Sequence, residues 1–385
     1  MSLKISQIET RITAHPLRPE RVVVSSAGCH SESSFLTVRV MDQDGQAGYG
    51  EAATVMLWSG ESAQNAQWII ESIFASRLIG ASLDHPREAL AIMDRAAVNN
   101  SFTKSAIDTA LWDLWAKQQG VPAWKLFADR EPVRAIPVRG SIGAYPLDRT
   151  LDLARGFWDE GVRTLKFKVG LPGGEDAIRL RAVRDQLGDE PVFTVDYNGT
   201  FDDVAGAVKH IESLLPFNIA LFEQPTHRDR IHLMAEVRKR VNVPILADES
   251  IFTPQHLADA LELDAFDILS IYPGKNGGFT HALEMARTAS RAGKACTIGS
   301  NLETDIGQAA MAALAAGLGL FPVLRLSCDL MSSLYYQRPS VTRPLVLERG
   351  RLMLPEGIGF GITPIAFKED ADDSFRSQPR RRHTM

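Results

Sequence analysis

Four short apolar runs between Thr164 and Glu249 constrain the fold of this chain more than any other feature. They read T-L-K-F-K-V-G, F-T-V-D-Y-N-G, A-L-F-E-Q-P and P-I-L-A-D-E-S. Each ends in charge: Lys166 with Lys168, Asp196, Glu223, then Asp248 with Glu249. Runs of this length and composition, bounded by turn residues, have the character of strands in a buried parallel sheet. The charged positions recur at nearly equal steps: 168 to 196 is 28 residues, 196 to 223 is 27, and 223 to 248 is 25. A strand and its crossover helix take roughly that length. The spacing therefore predicts successive strand–helix units with charge at each strand's C-terminal end. In a (β/α)8 barrel those ends converge on one mouth, where active sites are built. Three acidic strand ends and two lysines would then share one pocket, a set suited to metal-assisted acid–base chemistry.

The alternation continues on both sides of this stretch. I-P-V-R-G-S-I-G from Ile136 predicts a first strand, followed by a helix over 147–160. After the four charged units come F-D-I-L-S-I-Y-P-G-K-N-G-G, a helix at 280–292, A-C-T-I-G-S-N-L-E-T and an Ala-rich helix over 305–318. Strands centred near 137, 165, 193, 221, 245, 268, 296 and 323 make eight. Upstream, 3–14 and 34–53 alternate apolar with polar residues around a turn at Asp44-Gly45, the pattern of antiparallel strands. The small polar residues of 25–34 predict a mobile loop. Residues 61–118 predict helices, with 104–117 strongly amphipathic. Strands followed by helices indicate a small α+β domain.

The expected fold class is thus α/β: a modified (β/α)8 TIM-type barrel of (β/α)7β form over residues 131–341. An α+β capping domain occupies 1–130 and is completed by 342–367, where an alternating hairpin pattern resumes. Residues 371–385 are polar and irregular and predict a disordered tail.

Composition removes several function classes. A net charge of −5 with no long basic stripe argues against nucleic-acid binding. Cys29, Cys296 and Cys328 are far apart, with no CxxC and no secretory leader, which fits a reducing compartment and a cytoplasmic protein. The most apolar window, Ala309 to Leu324, is short for a membrane span and contains Gly and Pro, so a buried barrel helix is expected. A G-x-G-x-x-G turn after a first strand, the mark of a dinucleotide fold, is absent. Three acidic strand ends would also repel a phosphate-bearing cofactor.

Seven motifs stand in a fixed order: K-S-A-I-D-T-A-L-W-D-L at 104–114, K-F-K at 166–168, D-Y-N at 196–198, E-Q-P at 223–225, A-D-E-S at 247–250, K-N-G-G at 275–278 and G-S-N-L-E-T at 299–304. In these the chain resembles the enolase superfamily, and within it the muconate-lactonizing-enzyme (mandelate racemase/muconate cycloisomerase) subgroup, over roughly residues 3–367. The resemblance implies an enolase N-terminal-like cap over a modified barrel. It also implies a Mg2+ ion, with Mn2+ as an alternative, and an enolate formed by removing a proton α to a carboxylate. A hard divalent cation with oxygen ligands suits the charge such a step develops. By resemblance Asp196, Glu223 and Asp248 are the metal ligands, and the adjacent Asn198 and Glu249 orient the site.

Lys168 is the expected base, and a lysine paired with Mg2+ is a known pattern of this superfamily. Strand alternation puts Lys166 on the same face, where a second cation, like the metal, favours the neutral form of its neighbour. Ser300, Asn301 and Glu303 are expected at the pocket. The segment around Cys29 and His30, with Glu51 to Ser59, is expected to cover the mouth and select substrate. Its polarity points to a hydroxylated or amino-bearing small carboxylic acid rather than muconate. A closed homo-oligomer is expected for barrels of this kind.

One departure bears on the reaction. The subgroup usually carries a second lysine on the sixth strand, and that position here is Tyr272; Lys275 matches the K-N-G-G turn three residues on. Epimerisation needs a proton removed from one face and returned to the other. A tyrosine, with an ordinary pKa of about 10, is a poor base at neutral pH. The expected reaction is therefore a one-base dehydration or cycloisomerisation using Lys168. Two alternatives stand beside it: a racemase or epimerase with Tyr272 or Lys275 as second acid/base, and a non-catalytic homologue with a binding role.

Overall fold

The computed structural model describes residues 2–25, 28–128, 130–319 and 327–367. The N-terminal part opens with β1 (Leu3–Pro16), β2 (Val23–Ser25), β3 (Gly28–His30), β4 (Glu32–Asp42), β5 (Ala47–Ala52) and β6 (Ser82–Leu83). Four of these make a sheet in the order β5-β4-β1-β6 with antiparallel pairing. Asp42 closes its turn by accepting from the amides of Asp44 and Gln46, and Gly45 adopts φ +80°. The expected loop at 25–34 is a hairpin instead: β2 pairs with β3 in the register Val23 to His30.

Helix Ser101–Gln118 packs on this sheet and differs from its expected amphipathic character, being buried almost all round. It lies between the sheet and the barrel, so both faces are covered. Its two buried aspartates are satisfied by hydrogen bonds. Asp108 accepts from Thr280 N at 2.8 Å and Oγ1 at 2.7 Å, and Asp113 accepts from Lys117 Nζ at 2.6 Å and Phe360 N at 2.7 Å. Close approach to β5 requires glycine: a Cβ on Gly48 or Gly50 would lie 2.0 Å from the carbonyl oxygen of Ala110 or Ala106.

The barrel follows. β7 (Ala135–Pro137) precedes seven parallel strands: β8 (Arg139–Ile142), β9 (Thr164–Lys168), β10 (Val192–Asp196), β11 (Ile219–Glu223), β12 (Ile245–Ala247), β13 (Ile268–Ile271) and β14 (Ala295–Ile298). Helices cross between them, among them Leu147–Asp159, Phe279–Arg291 and Asp305–Leu318, close to their expected limits. The seam between β14 and β8 is bridged at 327–329. Cys328 N donates to Pro137 O at 2.9 Å, Arg139 N donates to Cys328 O at 3.1 Å, and Asp329 N donates to Ile298 O at 3.0 Å. The eighth strand expected near 323 falls outside the described residues, as does the tail at 371–385.

The C-terminal hairpin, β15 (Leu347–Glu348) and β16 (Arg351–Met353), pairs with β7 and so joins the barrel end opposite the mouth rather than the cap. The residues after it do reach the cap. Gly359 N donates to Val121 O at 2.9 Å, and Phe367 stacks on Tyr49 at 6.2 Å.

Candidate active site

Parallel register sets the strand ends side by side, with Asp196 opposite Lys168 on one side and Glu223 on the other. Lys166 Nζ lies 2.8 Å from Glu223 Oε1, 2.9 Å from Asp196 Oδ2 and 3.4 Å from Asp329 Oδ2. Lys168 Nζ reaches Asp196 Oδ2 at 2.5 Å and Asn198 Oδ1 at 2.7 Å. Both lysines therefore face one carboxylate, as strand alternation predicts. Asn198, held at φ +47°, donates its side-chain amide to Glu249 Oε1 at 2.7 Å. Gln224, at φ +41°, accepts from Asp248 N at 3.0 Å. Such backbone conformations outside glycine are costly and cluster where a site must be held in place.

Burial dominates the electrostatics. It pushes Glu249 up to about 8, helped by Asp248 and Asp196, and Glu223 up to about 7, helped by Asp196. Burial would raise Asp196 too, but Lys166 and Lys168 hold it well below the usual carboxylate range. Burial would lower Lys166, yet Asp196, Asp329 and Glu223 hold it well above the usual lysine value.

The sixth strand end carries two of the expected residues in different settings. Tyr272 follows β13, is fully buried, and its hydroxyl has no hydrogen-bond partner among the described residues. Burial, then Asp248 and Glu303, pushes that hydroxyl well above the ordinary tyrosine value. Lys275 is also fully buried, and its three protons are all used. They go to Asp248 Oδ1 at 2.7 Å, Asp248 O at 3.0 Å and Ser270 O at 2.7 Å.

After β14 the expected polar residues bond to one another. Glu303 accepts from Ser300 Oγ at 2.6 Å and from Asn301 N, while Asn301 Nδ2 donates to Ala53 O of the cap at 2.8 Å. Burial raises Glu303 to about 7. Trp58, from the segment expected over the mouth, packs in tilted contact with Phe252 at 4.9 Å and Tyr272 at 5.9 Å. Arg228 Nη1 donates to its carbonyl at 2.6 Å, so this loop is docked on the barrel. Cys29 and His30 lie on β3, but their side chains are outside the described residues.

Two further residues of this cluster, Arg139 and Asp329, were missed in the sequence, and Glu51, expected only as the start of the segment over the mouth, joins them. Arg139, on β8, donates Nε and Nη2 to Asp329 Oδ1 and Oδ2 at 2.6 and 2.7 Å. Asp329 in turn stands beside Lys166. Glu51, raised by burial to about 8, accepts from Thr304 N at 2.9 Å across the domain boundary. A signal existed for Asp329: it is the acidic residue just past the position expected for the eighth strand, as Asp196 and Glu223 are for theirs.

As placed, the carboxylates are drawn onto lysines, and among the described residues no three acidic, histidine or cysteine side chains converge to hold a metal ion. The donor set nevertheless suits a hard divalent cation. Asp196, Glu223, Asp248 and Glu249 are all oxygen donors, and the buried Oε2 atoms of Glu223 and Glu249 have no hydrogen-bond partner among the described residues.

Comparison with known proteins agrees with this geometry. Residues 149–368 match the family model described as enolase C-terminal domain-like, and residues 7–128 match the mandelate racemase / muconate lactonizing enzyme N-terminal domain. Muconate cycloisomerase 1 of Rhodococcus opacus is 29% identical over 94% of this chain and 96% of its own. N-succinylamino acid racemase of Amycolatopsis sp is 30% identical over 94% of this chain and 96% of its own. The crystal structure of a dipeptide epimerase from Enterococcus faecalis, complexed with Mg and the dipeptide L-Leu-L-Tyr, superposes with a TM-score of 0.85. It is 27% identical and covers 94% of this chain and 100% of its own. The chain belongs to the enolase superfamily, in its muconate-lactonizing-enzyme subgroup.

Proposed function

We propose that the protein is a Mg2+-dependent enzyme that removes a proton α to the carboxylate of a small organic acid, with Lys168 as its single base. Proton abstraction of the enolase-superfamily kind is supported by the relatives, and the Mg-complexed neighbour supports the choice of ion. Asp196, Glu223 and Asp248 would hold the cation, with Glu249 beside them oriented by Asn198. When bound, the ion supplies positive charge against the oxyanion that proton removal creates. Lys168, 14% exposed at the mouth, takes the proton on Nζ. Lys166 presents a second cation on the same Asp196 oxygen, and Trp58 packs against Tyr272.

The observation that carries the one-base reading is the state of the sixth strand end. Tyr272 is buried and pushed away from ionisation, and Lys275 has no proton left to exchange without breaking a bond to Asp248 or Ser270. With one base, loss of water from the same face or ring formation is open, whereas inversion is not. The test is a library of sugar acids, hydroxyprolines, amino-acid derivatives and muconates incubated with Mg2+ in D2O and followed by NMR. Elimination or cyclisation without epimer supports the reading. Deuterium entering the α-position with inversion overturns it in favour of a racemase or epimerase with Tyr272 or Lys275 as the second group.

A further inference from the structure

We infer that Arg139 and Asp329 form a positioning pair that sets how tightly the carboxylate cluster binds a divalent cation. The inference rests on the metal reading above. Arg139 is only 1% exposed inside the barrel, whereas Asp329 is 14% exposed and faces the mouth in front of it. The guanidinium grips Asp329 through two bonds, of 2.6 and 2.7 Å. Its Nη2 also lies 3.8 Å from Glu223 Oε2, beyond hydrogen-bond range. Arg139 Nη1 and Glu223 Oε2 are both buried, and neither has a hydrogen-bond partner among the described residues. The arginine thus stands at ion-pair distance from a ligand oxygen without a hydrogen bond to it.

Charge balance gives this arrangement a consequence. A fixed cation 3.8 Å from Glu223 opposes a second cation there, and Asp329 offsets that opposition. A metal that takes Asp196 and Glu223 also removes two of the three carboxylates around Lys166. The third, Asp329, keeps its place because Arg139 holds both its oxygens. Lys166 then retains a partner on the strand face it shares with Lys168. A buried arginine paired with one carboxylate is an expensive way to fill a barrel. Its place between Glu223 and Asp329 gives it a purpose that packing alone does not.

The two residues should act on the metal with opposite sign. Arg139→Met removes the opposing charge, so Mg2+ affinity, measured by calorimetry on the full chain, should tighten by about threefold or more. Asp329→Asn leaves the arginine uncompensated and should weaken Mg2+ by about tenfold or more. The double variant restores the charge balance and should return to within about threefold of the unaltered protein. A purely structural role would lower thermal stability in both single variants without splitting the sign of the metal effect. If Arg139→Met does not fold, Arg139→Lys, which keeps the charge but loses the two-pronged grip, should hold Mg2+ affinity within about threefold. Asp329→Asn then carries the sign test. Shifts of one sign in both single variants, or an unchanged affinity in Asp329→Asn, overturn the inference and leave the metal reading standing. An unaltered protein that does not bind Mg2+ overturns both.

Discussion

Lys275 donates to Asp248 Oδ1 at 2.7 Å from a position with no solvent exposure, so the barrel carries a built-in cation directly behind one proposed metal ligand. Replacing one partner of a buried ion pair leaves a charge without compensation, which costs about 3–5 kcal/mol. Lys275→Met should lower the free energy of unfolding in urea by that amount. Added Mg2+ should recover more stability in this variant than in the unaltered protein, because the ion supplies the charge Asp248 has lost. A loss below about 1 kcal/mol would mean that Asp248 is satisfied without the lysine. Equal recovery by Mg2+ in both proteins would remove Asp248 from the ligand set.

Lys168→Ala and Tyr272→Phe test the base and the sixth-strand residue separately. Lys168→Ala should abolish exchange of the substrate α-proton in D2O while calorimetric Mg2+ binding persists. Exchange that survives would end the assignment of Lys168. Tyr272→Phe removes a buried hydroxyl that has no hydrogen-bond partner among the described residues. Stability should stay the same or rise by about 1 kcal/mol. Exchange should fall by no more than about threefold. A folded Tyr272→Phe protein with exchange down about a hundredfold, which is about 2.7 kcal/mol of activation barrier, would make the hydroxyl a proton donor in the reaction.

How far the sequence could be read follows from where each residue finds its partner. Lys168, Asp196, Glu223 and Asp248 were legible because each ends an apolar run, and strand ends in a parallel barrel have one place to go. Arg139 was not. In I-P-V-R-G-S-I-G it is one polar residue in a strand, and its partner Asp329 lies 190 residues away across the barrel seam. No local pattern encodes that pairing. Helix Ser101–Gln118 was legible from its period, but an amphipathic pattern over 104–117 gives no sign that the helix is buried almost all round. Lys117 is a neighbour of Asp113 within the helix, but only the fold supplies the Thr280 and Phe360 groups that satisfy Asp108 and Asp113. Ser300 and Asn301 were expected at the pocket, and no local pattern shows that Ser300 bonds Glu303 or that Asn301 bonds the cap carbonyl of Ala53.

Gly50 and Gly156 should respond to the same substitution with opposite sign. A Cβ on Gly50 would meet the Ala106 carbonyl oxygen at 2.0 Å and its carbon at 2.9 Å, and both are backbone atoms of the helix on which the cap is built. Gly50→Ala should therefore destabilise by about 1–3 kcal/mol or more, as overpacking does. Gly156 lies in helix Leu147–Asp159 with nothing within 4 Å of its added Cβ. Gly156→Ala should stabilise by about 0.5–1 kcal/mol, because alanine loses less backbone freedom on folding. Thermal unfolding of the two variants checks both. A neutral Gly50→Ala would show that the helix and β5 stand further apart than described.

Asp108 predicts a pH dependence that belongs to the domain contact rather than to the metal cluster. Burial, opposed by its bonds from Thr280, raises its carboxyl from the ordinary 3.8 to about 6. In the folded protein the group thus keeps its proton up to about pH 6, whereas in the unfolded chain it loses it near 3.8. The unfolded state then binds fewer protons across this window, so the contribution to stability is complete below 3.8 and is lost as pH rises through 6. Its size is about 3 kcal/mol, because folding tightens proton binding roughly a hundredfold and each tenfold is worth about 1.36 kcal/mol. Asp108→Asn has no proton to lose. The difference in unfolding free energy between variant and unaltered protein should therefore move by about that amount in favour of the variant between pH 4 and pH 7. Urea titrations of both proteins at the two pH values isolate this contribution from every other titrating group. A constant difference would show that Asp108 ionises in place, stabilised by the Thr280 amide and hydroxyl, and that the contact between helix and barrel is indifferent to pH.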